Sequence, residues 1–191
     1  MPELHLASHS ARRQEILAAL GLAFTSAGVD ADERQLDGES PADMVLRLAE
    51  LKAVSAEVEP SAVVIGADTA VVLGDRVFGK PVDRDDCLAM LGALSGRTHQ
   101  VLTGVAVRAD GRIHTALSTT DVTFREIRPD EALQYWQSGE PRDKAGAYAI
   151  QGKGGVFVEA ISGSYSGVVG LPVFETTQLL HLAGIKVLKD S

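Results

Sequence analysis

The chain has 191 residues, a length typical of one compact domain, and we expect residues 1–191 to form a single domain. Its 45% hydrophobic and 23% charged residues exclude wholesale disorder, and its net charge of −8 argues against nonspecific nucleic-acid binding, which needs a basic face. The single cysteine, Cys87, excludes an internal disulfide and a multi-cysteine zinc site.

The first 60 residues predict one strand and two helices. Leu4–Ala7 is a short apolar run that predicts a buried strand. Ser10 can cap a helix that reaches about Leu20, where Gly21 favours its end. The pair Ser40-Pro41 predicts the start of a second helix, because a capping serine is followed by a proline that fits the first helical turn.

The middle of the chain changes to the pattern of strands. Ala62–Gly66 predicts a strand that ends just before Asp68, and a hairpin follows through Gly74-Asp75. Asp83 predicts the cap of a third helix that extends to about Ser95.

The second half predicts two long strands and two further helices. Val101–Arg108 and Ile113–Arg125 predict the strands, while Pro129 and Pro172 predict the helix starts, the last helix ending at Gly184. Because helices and strands mix without strict alternation, the fold class predicted is α/β, with a mixed twisted sheet flanked by helices.

Two arginines stand where a helix normally avoids cations. Arg12 and Arg13 lie in the first turn of the first predicted helix, where the helix dipole is positive. With the free amides of the helix start and the hydroxyls of Ser8 and Ser10, they would form an anion site suited to phosphate. The alternative is a surface turn with two solvated arginines.

Acidic residues occur in two places that suit a cation. Asp68 comes directly after a buried strand, where open α/β sheets bind ligands, although an acid there can also cap a turn. Asp30, Asp32 and Glu33 form an acidic loop whose oxygens would suit Mg²⁺ or Mn²⁺, or would simply be solvated.

Several other signals favour structural explanations. The three glycines within Gly152–Gly155 lack the spacing of a phosphate-binding P-loop and predict a turn. Cys87 lies on an apolar helix face and predicts a core position. Tyr135 and Trp136 predict packing, with an aromatic wall for a base as the alternative.

Neither a targeting segment nor a membrane helix is indicated. The N-terminus lacks a basic region followed by a long apolar run, and no apolar run approaches the ~20 residues that a membrane helix needs. We therefore expect a cytoplasmic protein that binds neither membrane nor nucleic acid.

A set of short motifs in a fixed order resembles the Maf-type nucleotide pyrophosphatases. The motifs extend over nearly the whole chain, and they are specific in combination. They are Leu6-Ala7-Ser8-His9-Ser10-Ala11-Arg12-Arg13, Leu48-Ala49-Glu50-Leu51-Lys52-Ala53, Gly66-Ala67-Asp68-Thr69, Gly79-Lys80-Pro81, Ser95-Gly96-Arg97-Thr98-His99, Lys144-Ala145-Gly146-Ala147-Tyr148-Ala149-Ile150-Gln151-Gly152 and Val169-Gly170-Leu171-Pro172.

This resemblance implies hydrolysis of a nucleoside triphosphate to the monophosphate and pyrophosphate with a divalent metal, Mg²⁺ or Mn²⁺. It implies an α/β fold of two lobes around a central cleft, similar to that of inosine triphosphatases, and a homodimer. It implies that Glu33 and Asp68 hold the metal and that Asp68 is the general base for the attacking water. The phosphates would be held by Ser8, Ser10, Arg12, Arg13, Lys52 and Lys80.

Two motifs resemble the branch of the family that acts on dTTP and UTP. They are Asp68-Thr69 and the run that ends in Gln151, and the resemblance ties Arg12, Thr69 and Gln151 to the choice of base. A glutamine amide offers both a donor and an acceptor to the imide edge of uracil or thymine. CTP and modified pyrimidine triphosphates are further candidate substrates.

Two alternatives remain at this point. The chain could hydrolyse 7-methyl-GTP or inosine-type triphosphates, against which Thr69 and Gln151 argue by resemblance. It could instead be a nucleotide-binding regulator of septum formation that acts through a protein partner.

Overall fold

The computed structural model describes residues 3–188, which contain seven strands, six α-helices and three short 3₁₀ helices. The 3₁₀ helices are Glu140–Asp143, Ala145–Ala147 and Lys153–Phe157. The strands and α-helices, in chain order, are β1 (Leu4–Ala7), α1 (Ala11–Ala19), β2 (Thr25–Ala27), α2 (Pro41–Ser55), β3 (Val63–Leu73), β4 (Arg76–Phe78), α3 (Arg84–Leu94), β5 (Thr98–Ala109), β6 (Arg112–Phe124), α4 (Pro129–Gln137), β7 (Val158–Ser162), α5 (Tyr165–Val169) and α6 (Val173–Leu182).

The strands form one mixed sheet in the order β2-β1-β3-β5-β6-β7, with β4 paired to β3. Strand β1 is parallel to both β2 and β3, whereas β4 is antiparallel to β3 and β7 is antiparallel to β6. The predicted fold class, α/β with a mixed sheet flanked by helices, is confirmed.

The predicted helix starts are also confirmed. Ser10, Ser40 and Asp83 each accept a hydrogen bond from the amide three residues ahead, at 3.5, 3.1 and 2.9 Å respectively. Within residues 3–188, no helix combines the length and the hydropathy that a bilayer crossing requires.

One boundary prediction was wrong. The strand expected to end before Asp68 continues through it to Leu73, so that Asp68 lies inside β3. The strand continues because Val71 and Val72 favour extended backbone and pair with β4. A carboxylate can occupy such a buried position when a cation neutralises it.

The chain divides into two compact units. Unit 1 comprises the described residues of Met1–Asp68, Thr103–Ser118 and Gly170–Ser191, and unit 2 comprises Thr69–Leu102 and Thr119–Val169. Each unit has its own apolar core, that of unit 1 lying around Leu6, Ile65 and Leu180.

In unit 1, helix α2 packs directly on the backbone of the sheet. A Cβ atom at Gly66 would lie 2.1 Å from the carbonyl oxygen of Ala49, and one at Gly104 would lie 2.4 Å from that of Val45. Only glycine permits this approach. The close packing brings Lys52, on the same helix, against β3.

The core of unit 2 is rich in aromatic rings. Phe124 lies edge-on to Tyr148 at 4.7 Å between ring centroids, and Phe157 packs against Tyr135 at 5.2 Å. Cys87 is buried in this core, as predicted, and burial raises the pKa of its thiol to about 11. The thiol is therefore protonated at neutral pH and packs as a small apolar group.

Candidate active site

The loop from β1 to α1 is held together by its own polar groups. The hydroxyl oxygen of Ser8 accepts hydrogen bonds from the amide of Ser10 at 3.1 Å and from Nη1 of Arg13 at 3.2 Å. Nε of Arg13 donates to the carbonyl oxygen of Gly170 at 2.7 Å. The guanidinium is thus fixed between the loop and the segment that precedes α6, within unit 1.

This loop is positively charged, as the sequence predicts. Helix α1 has no acidic residue in its first turn, where Arg12 and Arg13 both lie half-buried. Burial lowers the pKa of Arg13, Asp68 acts in the opposite direction, and the charge of Arg12 lowers it further. Two guanidinium groups at the positive end of a helix dipole form a suitable environment for an anion.

Lys52 joins the two carboxylates that the sequence singled out. Its Nζ donates to Oδ1 of Asp68 at 2.7 Å and to Oε1 of Glu33 at 2.6 Å. We call Lys52, Glu33 and Asp68 the Lys52 cluster. The Lys52 side chain is 9% exposed and that of Asp68 13%, whereas that of Glu33 is 54% exposed, so the cluster opens to solvent on the side of Glu33.

The Lys52 cluster and the arginine loop share one electrostatic environment. The charges of Asp68 and Glu33 both raise the pKa of Arg13, against the effect of burial. The structure therefore brings together, in unit 1, the predicted phosphate-binding loop and the two predicted metal ligands. It places the ammonium of Lys52, expected to bind phosphate, between these two ligands.

The structure distinguishes among the three acids of the loop before α2. Asp32 is exposed and binds Arg34 through hydrogen bonds that lower the pKa of its carboxyl group to about 2. Glu33 instead contacts Lys52. The acidic pattern alone leaves open which acid of this loop takes part in the site, whereas the family resemblance singles out Glu33.

The carboxylates of Glu33 and Asp68 fit a divalent cation. Both are hard oxygen donors within 2.7 Å of the same nitrogen atom, and Mg²⁺ commonly takes one or two carboxylates together with substrate phosphates. Across residues 3–188, no group of three or more His, Cys, Asp or Glu side chains is arranged to hold a metal ion. Two carboxylates would leave most positions of an octahedral Mg²⁺ ion open to other ligands.

The remaining predicted residues lie in unit 2. Thr69 follows Asp68 in β3, and Lys80 is exposed just after β4. The carbonyl oxygen of Gly79 accepts a hydrogen bond from the amide of Gly146 at 3.1 Å, which fixes the segment before Lys80. Gln151 is exposed in a turn.

Sequence reasoning missed the contact that fixes Arg13. Its acceptor, the carbonyl oxygen of Gly170, lies 157 residues away in the chain. A backbone carbonyl has no residue-type signature, and the one available signal is the motif Val169-Gly170-Leu171-Pro172, which the sequence shares with the family it resembles.

Comparison with known proteins identifies the family of this chain. A family model described as "Maf-like protein" matches residues 3–183. A protein of Saccharophagus degradans named dTTP/UTP pyrophosphatase is 52% identical over 190 residues, which cover 97% of this chain and 90% of the relative. A protein of the same name from Anaeromyxobacter dehalogenans is 53% identical over 187 residues, covering 96% and 95%.

A solved structure of a HAM1 protein from Coxiella burnetii is a more distant match. It is 16% identical, with a TM-score of 0.46, over 65% of this chain and 73% of that protein. The family model, by contrast, extends over nearly all of the sequence, and the two relatives share about half of its residues. The chain therefore belongs to the Maf-like protein family.

Proposed function

We propose that this protein hydrolyses nucleoside triphosphates, with dTTP and UTP preferred, to the monophosphate and pyrophosphate. The observation that carries the proposal is the Lys52 cluster beside the Ser8–Arg13 loop, because it combines two carboxylates with an anion site. The names of the relatives support the choice of dTTP and UTP. CTP and modified pyrimidine triphosphates remain candidates.

In the proposed reaction a water molecule attacks the α-phosphorus. The bond from this phosphorus to the oxygen that bridges to the β-phosphorus breaks, and pyrophosphate leaves with the electron pair of that bond. Asp68 accepts the proton of the water, and Lys52 keeps the Asp68 carboxylate in place through their hydrogen bond.

The phosphates bind to the cations and hydroxyls of the site. Arg12 and Arg13 neutralise the charge that develops on the phosphate oxygens, and Ser8 and Ser10 add hydrogen bonds. Lys80 and Lys52 complete the proposed phosphate-binding set. The donors of Arg13 are already oriented by Ser8 and Gly170, so little reorganisation accompanies binding.

A divalent cation, with Mg²⁺ or Mn²⁺ expected, belongs to this proposal. Glu33 and Asp68 would hold it, since their carboxylates converge on one point. When bound, such an ion supplies charge neutralisation and makes its water more acidic.

A homodimer and a cytoplasmic location are also part of the proposal, and light scattering of the purified protein tests the dimer.

The main experiment measures pyrophosphate release from each canonical and several modified triphosphates, with Mg²⁺ or Mn²⁺. We expect release from dTTP and UTP, and we expect Asp68→Asn to lower kcat by on the order of 10²-fold or more. Asp32→Asn is the matched control, because it makes the same chemical change at an acid next to Glu33. Asp32 pairs with Arg34 and does not belong to the Lys52 cluster. This variant should retain activity.

Three outcomes would contradict the proposal. Near-normal activity of Asp68→Asn would remove Asp68 from its role. Preference for 7-methyl-GTP or inosine triphosphate would contradict the substrate. Binding of nucleotide and metal without release of pyrophosphate would favour a regulatory protein, such as a regulator of septum formation.

A further inference from the structure

Gln151 is carried by a tight turn in unit 2. The amide of Gly152 donates to the carbonyl oxygen of Ala149 at 3.1 Å, and Gln151 lies exposed between these residues. Tyr148, just before the turn, is buried, and a 3₁₀ helix, Lys153–Phe157, follows it. The exposed glutamine is therefore attached to the core on both sides.

One carboxylate and one phenol bind the backbone on both sides of this turn. The Glu140 carboxylate accepts hydrogen bonds from the amides of Gly154 at 2.9 Å and Lys153 at 3.0 Å, and from the hydroxyl of Tyr135 at 2.8 Å. The Tyr135 oxygen in turn accepts from the amide of Ala149 at 3.1 Å. We call Tyr135 and Glu140, with these three amides, the Glu140 clamp.

The clamp explains the glycine-rich segment that lacks the P-loop spacing. A Cβ atom at Gly152 would lie 2.4 Å from Oε2 of Glu140, and one at Gly154 would lie 2.6 Å from the hydroxyl oxygen of Tyr135. Both distances are too short for a side chain. Glycine at these positions lets the backbone approach without displacing the Glu140 carboxylate or the Tyr135 hydroxyl.

The protonation states strengthen the clamp at neutral pH. Burial would raise the pKa of Glu140, but the amides of Gly154 and Lys153 and the hydroxyl of Tyr135 lower it more, to a value below its ordinary one. Burial, together with Glu140, raises the pKa of Tyr135. An ionised carboxylate thus accepts three hydrogen bonds, which are stronger than neutral ones.

We propose that Glu140 and Tyr135 are positioning residues for base recognition, which hold the turn so that the Gln151 amide meets the imide edge of thymine or uracil. The inference rests on the proposed function, in which Gln151 reads the base. Neither residue needs to touch the substrate. On a loose turn the glutamine could shift to match several bases, whereas on a turn held in place it leaves unpaired polar groups against the wrong base.

The test compares Glu140→Gln with the unchanged protein on dTTP and dCTP. Thymine presents a donor at N3 and an acceptor at O4, whereas cytosine presents an acceptor at N3 and a donor at its 4-amino group. We expect the ratio of kcat/KM for dTTP to that for dCTP to fall by on the order of 10-fold to 100-fold, with a higher KM for dTTP. Inhibition by inorganic pyrophosphate, which has no base, should be unchanged.

Glu131→Gln is the matched control. Glu131 lies on α4, the helix that carries Tyr135, and its carboxylate binds Arg125 and the amide of Arg128 rather than the Gln151 turn. The chemical change and the helix are the same, so a general loss of stability would affect both variants. We expect the control to keep the normal ratio for dTTP and dCTP.

A second variant keeps the Glu140 carboxylate and disturbs only the close contact between the backbone at Gly154 and the clamp. Gly154→Ala places a methyl group against the Tyr135 hydroxyl and the backbone of Ala149, and it should lower the same ratio. Thermal unfolding of each variant identifies any that fails to fold, in which case the other decides.

The outcomes separate this inference from the proposed function. If the unchanged protein prefers dTTP and a folded variant keeps that preference, or loses activity equally on all triphosphates, the positioning role is wrong and the proposed function stands. If the unchanged protein releases pyrophosphate equally from dTTP and dCTP, the positioning role is wrong while hydrolysis of pyrimidine triphosphates stands. If it releases no pyrophosphate from any triphosphate, both are overturned.

Discussion

The Lys52 cluster and the Glu140 clamp each hold one carboxylate partly away from bulk water, Asp68 in the cluster and Glu140 in the clamp, but the partners of these carboxylates differ. In the cluster, the partner of Asp68 and Glu33 is the cation of a buried lysine. In the clamp, the partners of Glu140 are two backbone amides and a neutral hydroxyl. The first arrangement balances charge between side chains, and the second fixes the path of the backbone.

The two arrangements suit different roles, one in catalysis and one in positioning the backbone. A carboxylate paired with a movable ammonium can exchange that partner for another cation or for the proton of a water molecule. A carboxylate bound by amides cannot do so without releasing the backbone, because each unpaired buried amide costs about 1–3 kcal/mol. The cluster therefore suits chemistry, and the clamp suits positioning.

The largest effect on stability is expected when the cluster loses its cation. Lys52→Met leaves Asp68 without its buried partner and should lower the free energy of unfolding by about 3–5 kcal/mol. Urea denaturation at pH 7 measures this change. Lys153→Met is the matched control, since that side chain is exposed and only its amide belongs to the clamp.

A double variant sharpens this prediction. Lys52→Met combined with Asp68→Asn removes the uncompensated charge, so we expect it to be more stable than Lys52→Met alone. If Lys52→Met unfolds at the same urea concentration as the unchanged protein, the cluster does not contribute to stability as described.

An intermediate effect is expected from acid, through a histidine next to the clamp. Nε2 of His99 and the hydroxyl of Tyr148 are 2.9 Å apart, and burial lowers the pKa of His99 to about 4 from its usual 6.5. Between these values the unfolded chain binds a proton that the folded one does not. Stability should fall by about 2 kcal/mol between pH 8 and pH 5.

The measurement is a series of urea unfolding curves at pH 8, 6.5 and 5. His99→Gln should remove most of the dependence on pH, whatever its effect on stability at pH 8. His5, whose pKa burial also lowers, accounts for a smaller remaining slope of the same sign. A slope unchanged in His99→Gln would assign the effect to other groups.

The same comparison shows what the sequence could predict. In the cluster, Asp68 was singled out because it follows an apolar run and Glu33 because it lies in an acidic loop, whereas Lys52 was identified only through the resemblance to the Maf-type family. The helix caps Ser10, Ser40 and Asp83 were predicted because capping depends on residues close in the chain.

The clamp could not be predicted because its partners are backbone amides. Any residue except proline supplies a backbone amide, so no residue type in the sequence indicates that Glu140 binds the amide of Gly154. The glycines signal only that some group comes close. The place of Asp68 inside β3 was missed for a related reason, since its charge is neutralised by Lys52 from a different element.

The smallest effects on stability are expected from substitutions of the two serines that cap helices in unit 1, and comparing them distinguishes a role in folding from a role in the reaction. Ser10 caps α1 with a hydrogen bond of 3.5 Å, whereas Ser40 caps α2 at 3.1 Å and also donates to Asp43 at 2.6 Å. Ser40→Ala should therefore cost about 1 kcal/mol of unfolding free energy, and Ser10→Ala about 0.5 kcal/mol.

For the KM of the reaction, the order of the two variants should reverse, with the larger effect from Ser10→Ala. Ser10→Ala removes a hydroxyl of the proposed phosphate site and should raise KM for dTTP, whereas Ser40→Ala should leave it unchanged. Urea unfolding and steady-state kinetics on the same two preparations make the comparison. A rise in KM for Ser40→Ala as large as that for Ser10→Ala would mean that cap stability, rather than phosphate contact, controls the site. With the expected result, the long cap bond of Ser10 is explained by a hydroxyl positioned for the substrate at the expense of its helix.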